Sequence, residues 1–178
     1  RREKADATET PVLIRQSIDG SIAFLRKQLA QLQENIDHHI DSHPNLRCDM
    51  DLLTSIPAVG PQTASNLLAI VHLHRFDSAE QLAAYLGLVP VERQSGSSIL
   101  RRARLSKAGP PRIRAVLYMA AIVATKYNPH VKAVYDRLLA RGKAKKAALG
   151  AAMRKIVHLC FGVLNTRICY QAEYVKNG

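Results

Sequence analysis

Cysteine is scarce in this sequence and does not occur in closely spaced pairs. The 178 residues contain Cys48, Cys160 and Cys169, which form no CxxC motif, and an odd number argues against a framework of disulfide bonds. Histidines come close together only at residues 38–39 and 72–74, and neither pair has a second cluster at the spacing of a zinc site. The composition therefore excludes a small domain stabilised by disulfide bonds, and we expect this chain to supply no metal ligands.

Long uncharged stretches are also missing. No apolar run reaches the roughly 20 uncharged residues that a membrane-spanning helix needs, and the first four residues lead into polar sequence rather than a signal peptide. We therefore expect a soluble, cytoplasmic protein with no membrane partner. With 47% hydrophobic and 22% charged residues, the chain has the composition of a folded domain, or of a small domain with a helical arm. It begins with Arg1 instead of methionine, and we expect it to be a piece of a longer protein.

Acidic side chains are almost absent from residues 91–155. That segment holds 16 Lys and Arg residues, but its only acidic residues are Glu92 and Asp136, so its net charge is +14. Residues 1–90 have a net charge of −3, and the whole chain has a net charge of +12. Positive charge confined in this way is typical of a protein that binds a polyanion. The alternative is a solvated basic face without a partner. Because apolar helical patterns run through the same segment, we expect a folded surface rather than a tail.

Hydrophobic spacing predicts an all-α fold. Isoleucine and leucine recur every three or four residues from Ile18 to Ile40 within a long helix over residues 12–43. This heptad seam fits either self-association as a coiled coil or packing against the chain's own core. Further helices are predicted over residues 111–127, 130–141 and 143–164. The predicted domains are a helical arm over residues 1–48, a compact helical domain over residues 49–165 and a tail over residues 166–178.

Residues 52–68 are typical of two helices joined by a tight turn. Gly60 ends the turn, and Pro61 suits the first position of a new helix. The pattern resembles a helix-hairpin-helix, whose turn presents backbone N–H groups to a nucleic-acid phosphate, and Gly60 is the predicted contact. The sequence departs from that motif at Ala58, where the first glycine of the turn usually stands. An ordinary helical turn is the alternative.

The segment 93–109 combines serine hydroxyls with basic side chains and has no helical period, so we predict a short basic loop or hairpin. A serine attacks phosphate only when its proton is taken and cations neutralise the phosphate charge. Gly96 beside Ser95 would let a phosphate approach closely. From the residues alone, a plain phosphate-contact loop is the simpler interpretation. The predicted phosphate contacts around this loop are Arg93, Gly96, Arg101, Arg102, Arg104, Lys107, Arg112 and Arg114.

Several short stretches, in order over about residues 50–160, resemble one bacterial family. They are Ile56–Gly60, Phe76–Ser78, Gln81–Pro90, Arg93–Ser98, Ser106–Gly109 and Arg112–Ala121. On these motifs the sequence is identified as a member of the one-ten group of insertion-sequence transposases, which includes the pilin-gene inverting recombinases.

The resemblance implies one part of a two-part protein. In that family an N-terminal resolvase-like nuclease domain carries a DEDD acidic set that binds divalent metal, and a coiled-coil region leads to a C-terminal domain with a serine thought to attack DNA. This chain matches the coiled coil and the C-terminal domain. The family's Ser-Gly pair falls on Ser95 and Gly96, so Ser95 is the implied nucleophile, with Ser97, Ser98 and Ser106 as alternatives.

The acids of this chain are scattered and form no set for two metal ions. We assign Asp49 and Asp51 to a helix start, where acids favour the helix dipole. The leading hypothesis is the DNA-binding and serine-nucleophile part of a transposase or recombinase, inactive alone because Mg²⁺ would be held by the missing domain. Expected partners are DNA, a guide RNA as in several members, and a second copy through the arm, in a bacterial nucleoid-associated protein. The alternatives are a non-catalytic helix-hairpin-helix module and a coiled-coil assembly protein.

Overall fold

The computed structural model describes residues 12–91 and 104–173, with only the backbone of Leu13 and Arg104. These residues form seven α-helices and one pair of very short strands, so the prediction of a mainly α-helical fold is confirmed. The chain divides into two units, Arg1–Pro44 and Asn45–Gly178. The domain limits expected from the sequence stay a prediction.

The first unit contains one long helix, α1 (Val12–Asp41). Its seam residues from Ile18 to Ile36 are at least 41% exposed, and Leu29 reaches 69%. The helix ends at Asp41, two residues before the predicted end, and the backbone N–H of Ser42 bonds to the carbonyl of His38 at 3.0 Å. The apolar stripe of α1 is therefore solvent-exposed in the isolated chain, and the coiled coil stays a prediction.

The second unit holds the hydrophobic core. Its helices are α2 (Pro44–Thr54), α3 (Pro61–Leu73), α4 (Ala79–Tyr85), α5 (Pro111–Tyr127), α6 (Pro129–Ala140) and α7 (Lys145–Thr166). Helix α7 packs against α4, α5 and α6, and α3 packs against α5. The core side chains at most 1% exposed include Leu53, Leu67, Leu82, Leu117, Ile156 and Val157. The last helix begins at Lys145, two residues later than the sequence predicts.

Local sequence sets the ends of these helices. Proline occupies the first turn of α3, α5 and α6, where its missing N–H costs no hydrogen bond. The Ser78 hydroxyl accepts from the N–H of Gln81 at 3.3 Å and caps α4. Gly87, at φ +71°, closes the same helix, and the N–H of Leu88 reaches back to the carbonyl of Ala83 at 2.9 Å.

Within the described residues, α7 is long and apolar enough to pass the length and composition test for a membrane span. Its apolar face is nevertheless buried in the second unit, through residues such as Ala152, Ile156 and Val163. Arg154 and Lys155 interrupt the apolar sequence near its middle. Packing in a protein core therefore accounts for the composition of this helix.

Two short strands form the foot of a hairpin. Strands β1 (Pro90–Val91) and β2 (Arg104–Leu105) pair antiparallel, with Pro90 opposite Leu105. The chain between them, residues 92–103, lies outside the described residues. The two strands that flank the segment predicted to be a loop or short hairpin are thus paired with each other.

Candidate nucleic-acid interface

The predicted site residues divide between described and undescribed parts of the chain. Ser95, Arg93, Gly96, Arg101 and Arg102 lie outside the described residues, as do Ser97 and Ser98. For Arg104 only the backbone, in β2, is described. The described site residues are Gly60, Ser106, Lys107, Arg112 and Arg114.

Gly60 lies at the N-terminus of α3, at the end of a tight turn from α2. The turn is closed by a hydrogen bond from the N–H of Val59 to the carbonyl of Ile56 at 3.0 Å. Ala58 adopts φ +78°, the left-handed conformation that favours glycine, which explains why a glycine is usual at this position of the motif. Gly60 is exposed and provides no side-chain cap, so the first N–H groups of α3 can face an anion or water.

The foot of the hairpin is held rigidly against the end of α4. The N–H of Lys107 donates to the carbonyl of Gly87 at 3.1 Å. A Cβ on Gly109 would lie 2.8 Å from the backbone of Leu86, and one on Gly87 would lie 2.8 Å from the nitrogen of Ala108. Both glycines are therefore needed for the two chain segments to cross, and the crossing fixes Lys107, itself at φ +57° and exposed.

A cleft of about 450 Å³ opens between β2, α5 and α7. Its lining consists of Leu105, Lys107, Arg114, Ala115, Tyr118, Lys146, Gly150 and Met153. Three of these eight side chains are cationic and none is acidic. The Arg114 guanidinium donates to the carbonyl of Gly109, which positions it at the edge of the cleft. The structure thus brings together two predicted phosphate contacts, Lys107 and Arg114, around an apolar floor.

Basic side chains are also frequent on the rest of α5, α6 and α7. From Pro111 to Thr166 the chain carries 11 Lys and Arg but a single acid, Asp136, which pairs with Lys132 at 2.6 Å. Arg112 is exposed in the first turn of α5 and lies outside the cleft lining. Further exposed cations are Lys126, Arg137, Arg141, Lys143 and Lys145. We name these exposed cations together the basic face of α5–α7, and their charge is that expected of a polyanion-binding protein.

The sequence model of the transposase IS116/IS110/IS902 family matches residues 50–136. The chain belongs to this family of transposases. It is 31% identical over 166 residues to the pilin gene-inverting protein of Moraxella bovis, covering 92% of this chain and 51% of that protein. It is 29% identical over 167 residues to a 43.6 kDa protein of insertion element IS110 from Streptomyces coelicolor, covering 93% of this chain and 40% of that protein.

The family predicted from the motifs is therefore confirmed, and the chain spans about half the length, or less, of these curated relatives. The match to the family model runs from α2 into α6, and includes the α2–α3 turn and the hairpin foot. The α7 side of the cleft lies beyond it. Membership of a transposase family indicates a soluble cytoplasmic protein.

Sequence reasoning missed a polar cluster around the buried carboxylate of Asp49. Asp49 is only 5% exposed, lies 2.9 Å from Nε2 of His72 and is also bonded to the Arg167 guanidinium. The assignment of Asp49 to a helix start was wrong, because α2 begins at Pro44 and Asp49 lies in its middle. The cluster joins α2, α3 and the end of α7. No sequence signal could have found it, since its members are up to 118 residues apart.

A second polar network surrounds Asn128, which is completely buried. Its side chain caps α6 by accepting from the N–H of Val131 at 3.1 Å, and its amide donates to the carbonyl of Pro57 at 3.4 Å. The Tyr170 hydroxyl donates to Asn128 at 3.1 Å and contacts Nδ1 of His130 at 2.7 Å. Because the phenol has one proton, His130 must donate to it. Burial raises the pKa of Tyr170, which keeps that proton in place.

The Asn128 network reaches the turn that precedes α3. Besides the bond to Pro57, the N–H of Tyr170 donates to the hydroxyl of Ser55 at 2.9 Å. The α2–α3 turn is therefore fastened to the α5–α6 junction and to the segment after α7. The sequence shows Asn128 as a helix breaker before Pro129, but gives no sign of these distant partners.

Among the residues that the structure describes, no three His, Cys, Asp or Glu side chains come together as a group that could hold a metal ion. The described residues therefore do not fit the divalent metal implied by the family. Where that metal binds stays a prediction.

Proposed function

We propose that this chain is the DNA-binding and serine-nucleophile part of an insertion-sequence transposase or site-specific recombinase. The basic face of α5–α7, next to the foot of the hairpin, is the observation that carries the proposal. The segment with Ser95 is flanked in the sequence by β1 and β2, and β2 leads directly into Lys107 and the cleft. Phosphates bound on the basic face would lie next to that segment.

In the proposed reaction, the Oγ atom of Ser95 attacks a phosphorus atom of the DNA backbone. An Oγ–P bond forms as the bond from phosphorus to the neighbouring nucleotide's oxygen breaks. The serine proton passes to a base, and the leaving oxygen takes up a proton to become a hydroxyl. Arginine and lysine side chains of the hairpin neutralise the charge that develops on the phosphate. Divalent metal, Mg²⁺ in our proposal, belongs to a part of the protein outside this chain.

The partners proposed are DNA, a structured guide RNA in the manner of several family members, and a second copy of the chain. Self-association is supported by the exposed seam of α1, because a heptad stripe of this kind is normally covered by another helix. Association with the bacterial nucleoid follows if DNA is the main partner.

A second candidate function is a non-catalytic helix-hairpin-helix module. It is supported by Ala58, which takes the left-handed conformation of the motif's first glycine, and by the uncapped N-terminus of α3 at Gly60. In that case the α2–α3 turn, rather than the hairpin, would be the main phosphate contact. Strand joining by the longer protein would then not depend on Ser95.

DNA binding by the chain is tested by measuring affinity for duplex DNA as a function of salt. If about six phosphates are neutralised, the log–log slope is near −5, from roughly −0.9 per contact. We expect the purified chain to bind with little sequence preference and to make no cuts. Changing Arg101, Arg102 and Arg104 together to Ala makes the slope shallower by up to about 3. If the slope is unchanged, the hairpin does not contact the phosphates. Ser95 is then not the nucleophile, because it lies away from the phosphate.

The nucleophile is tested in a full-length protein that carries this chain. Ser95→Ala is expected to abolish strand joining while leaving the affinity for DNA and its salt slope unchanged. Ser106→Ala is the matched control, because Ser106 lies at the foot of the same hairpin, where its N–H bonds to the carbonyl of Val89 at 2.9 Å. If strand joining persists in Ser95→Ala but is lost in Ser106→Ala, the nucleophile is Ser106 and not Ser95.

A further inference from the structure

We propose that the cleft between β2, α5 and α7 holds one unpaired nucleotide, with its base against Tyr118 and its phosphate on the three cations of the rim. This inference rests on the proposed nucleic-acid function and adds to it a site for a single base. The cleft's volume of about 450 Å³ lies in the range of small-ligand pockets. Its lining combines an apolar, aromatic surface for a base with cations for a phosphate, and a nucleotide requires both.

The floor of the cleft is apolar and carries an aromatic ring. Tyr118 is 39% exposed, and Met153, from α7, is buried. Leu105 forms one side of the cleft and lies close to Gly150 of α7. The lack of a side chain at residue 150 lets Leu105 approach, because a Cβ atom there would lie 3.2 Å from Leu105 Cδ1. An aromatic ring beside a thioether suits the flat face of any base, and stacking of this kind is tolerant of sequence.

The rim of the cleft is cationic. Arg114 uses one nitrogen on the carbonyl of Gly109, and the rest of its five N–H donors remain for a phosphate. Lys107 is held by the glycine crossing at the hairpin foot, and Lys146 lies in the first turn of α7. These three cations come from three different chain segments. No acidic side chain among the lining residues opposes an anion there.

The occupant must be unpaired. In a duplex the face of each base is covered by its neighbours in the stack, so a ring such as Tyr118 can reach it only in a single strand or after a base has been flipped out. The nucleotide can come from single-stranded DNA or from RNA, because both present the same base and phosphate. Transposition exposes unpaired strands, and β2, which borders the cleft, directly follows the segment that carries the implied nucleophile in the sequence.

The test compares fluorescently labelled single-stranded DNA, single-stranded RNA of the same sequence, and the corresponding duplex DNA. Tyr118→Leu is expected to weaken single-strand binding about tenfold, from the typical energy of one stacked base, while duplex binding changes less than twofold. Tyr118→Phe keeps the ring and should bind like the parent. Tyr127→Leu is the matched control, because Tyr127 is on the same helix, 69% exposed and outside the cleft.

Two further measurements sharpen the result. Lys146→Gln should reduce the salt slope on single strands by about 0.7, the value for one phosphate contact. Oligonucleotides with 5-iodouracil should cross-link on irradiation to the peptide that contains Tyr118, and whichever of the DNA and RNA strands binds more tightly identifies the source of the base.

The results distinguish the nucleotide-pocket proposal from the proposed function of the chain in DNA binding. If Tyr118→Leu binds single strands like the parent, or weakens duplex binding equally, the nucleotide pocket is refuted while DNA binding by the basic face stands. If the parent chain binds none of the three nucleic acids, the proposed function itself is refuted. Circular dichroism of each variant shows whether a loss of binding comes from unfolding.

Discussion

Helices α1 and α7 are both long and carry many apolar residues, yet they use them in opposite ways. In α1 the apolar residues form one narrow heptad stripe that is exposed, while in α7 they form a broad face that is buried against α4, α5 and α6. Their surroundings also differ in charge. Helix α1 contains three basic residues (Lys and Arg) and four acidic ones. Residues 111–166, in contrast, contain eleven basic residues and one acidic residue. The width of the apolar stripe distinguishes a helix that needs a partner from a core helix.

The largest expected effect comes from the core. Leu117→Ala should lower the free energy of unfolding by about 2–5 kcal/mol, because Leu117 is fully buried and its removal leaves a cavity. Leu25→Ala, at a position 63% exposed on α1, should change it by less than about 0.5 kcal/mol in dilute, monomeric protein. Urea denaturation followed by circular dichroism measures both. Equal losses would mean that α1 is part of the folding core.

The next effect concerns self-association. Replacing Leu25 and Leu29 together by Lys puts two charges in the α1 seam, and should raise the dissociation constant of the oligomer at least about a hundredfold, since a coiled-coil interface excludes unpaired charges. Sedimentation velocity over a range of concentrations measures this. Gln28 and Gln33 replaced by Lys provide the control, with equal charge outside the seam. A parent chain that stays monomeric at high concentration would contradict the coiled-coil proposal.

A smaller effect is expected at Asn128. Asn128→Ala removes the cap of α6 and the acceptor of the part-buried Tyr170 hydroxyl, so the free energy of unfolding should fall by about 1–3 kcal/mol. Asn66→Ala, at a part-exposed asparagine of α3 that bonds only one turn back, is the control and should cost less than about 1 kcal/mol. Thermal unfolding of both variants measures the difference. Equal losses would show that the network adds nothing beyond one hydrogen bond.

The smallest effect is one of reactivity and leaves stability unchanged. Burial raises the pKa of the Cys160 thiol to about 12, so almost no reactive thiolate forms near pH 8. Cys48 and Cys169 are exposed. Iodoacetamide should therefore add two labels to the native chain and three in urea, counted by mass spectrometry. Rapid addition of a third label to the native chain would show that the core around α7 opens readily.

Local features of this fold were predictable from the sequence, and distant ones were not. The proline starts of α3, α5 and α6, the Ser78 cap and the glycine end of α4 depend on neighbouring residues, so their positions follow from short patterns. The contacts of Asp49 and Asn128 depend on partners 23 to 118 residues away, which no periodicity indicates.

The same division holds for the candidate site. Charge counting located the basic segment, and the motifs identified Lys107 and Arg114 as phosphate contacts, which the cleft brings together. The apolar floor was missed, because Tyr118 and Met153 each belong to an ordinary helical stripe and meet only when α5 packs on α7. Ser95 depends on family resemblance alone, since a serine in a basic loop has no spacing that marks a nucleophile.

The most direct test of the account compares the salt dependence of duplex binding for two triple variants of the full chain. One replaces Lys143, Lys145 and Lys146 by Gln on the basic face, and the other replaces Arg15, Arg26 and Lys27 by Gln on α1; all six side chains are exposed. We predict that the first makes the log–log slope shallower by up to about 3, at roughly 0.9 per lost contact, and that the second leaves it unchanged. A slope that falls equally in both variants, or only in the α1 variant, would contradict the assignment of nucleic-acid binding to the basic face.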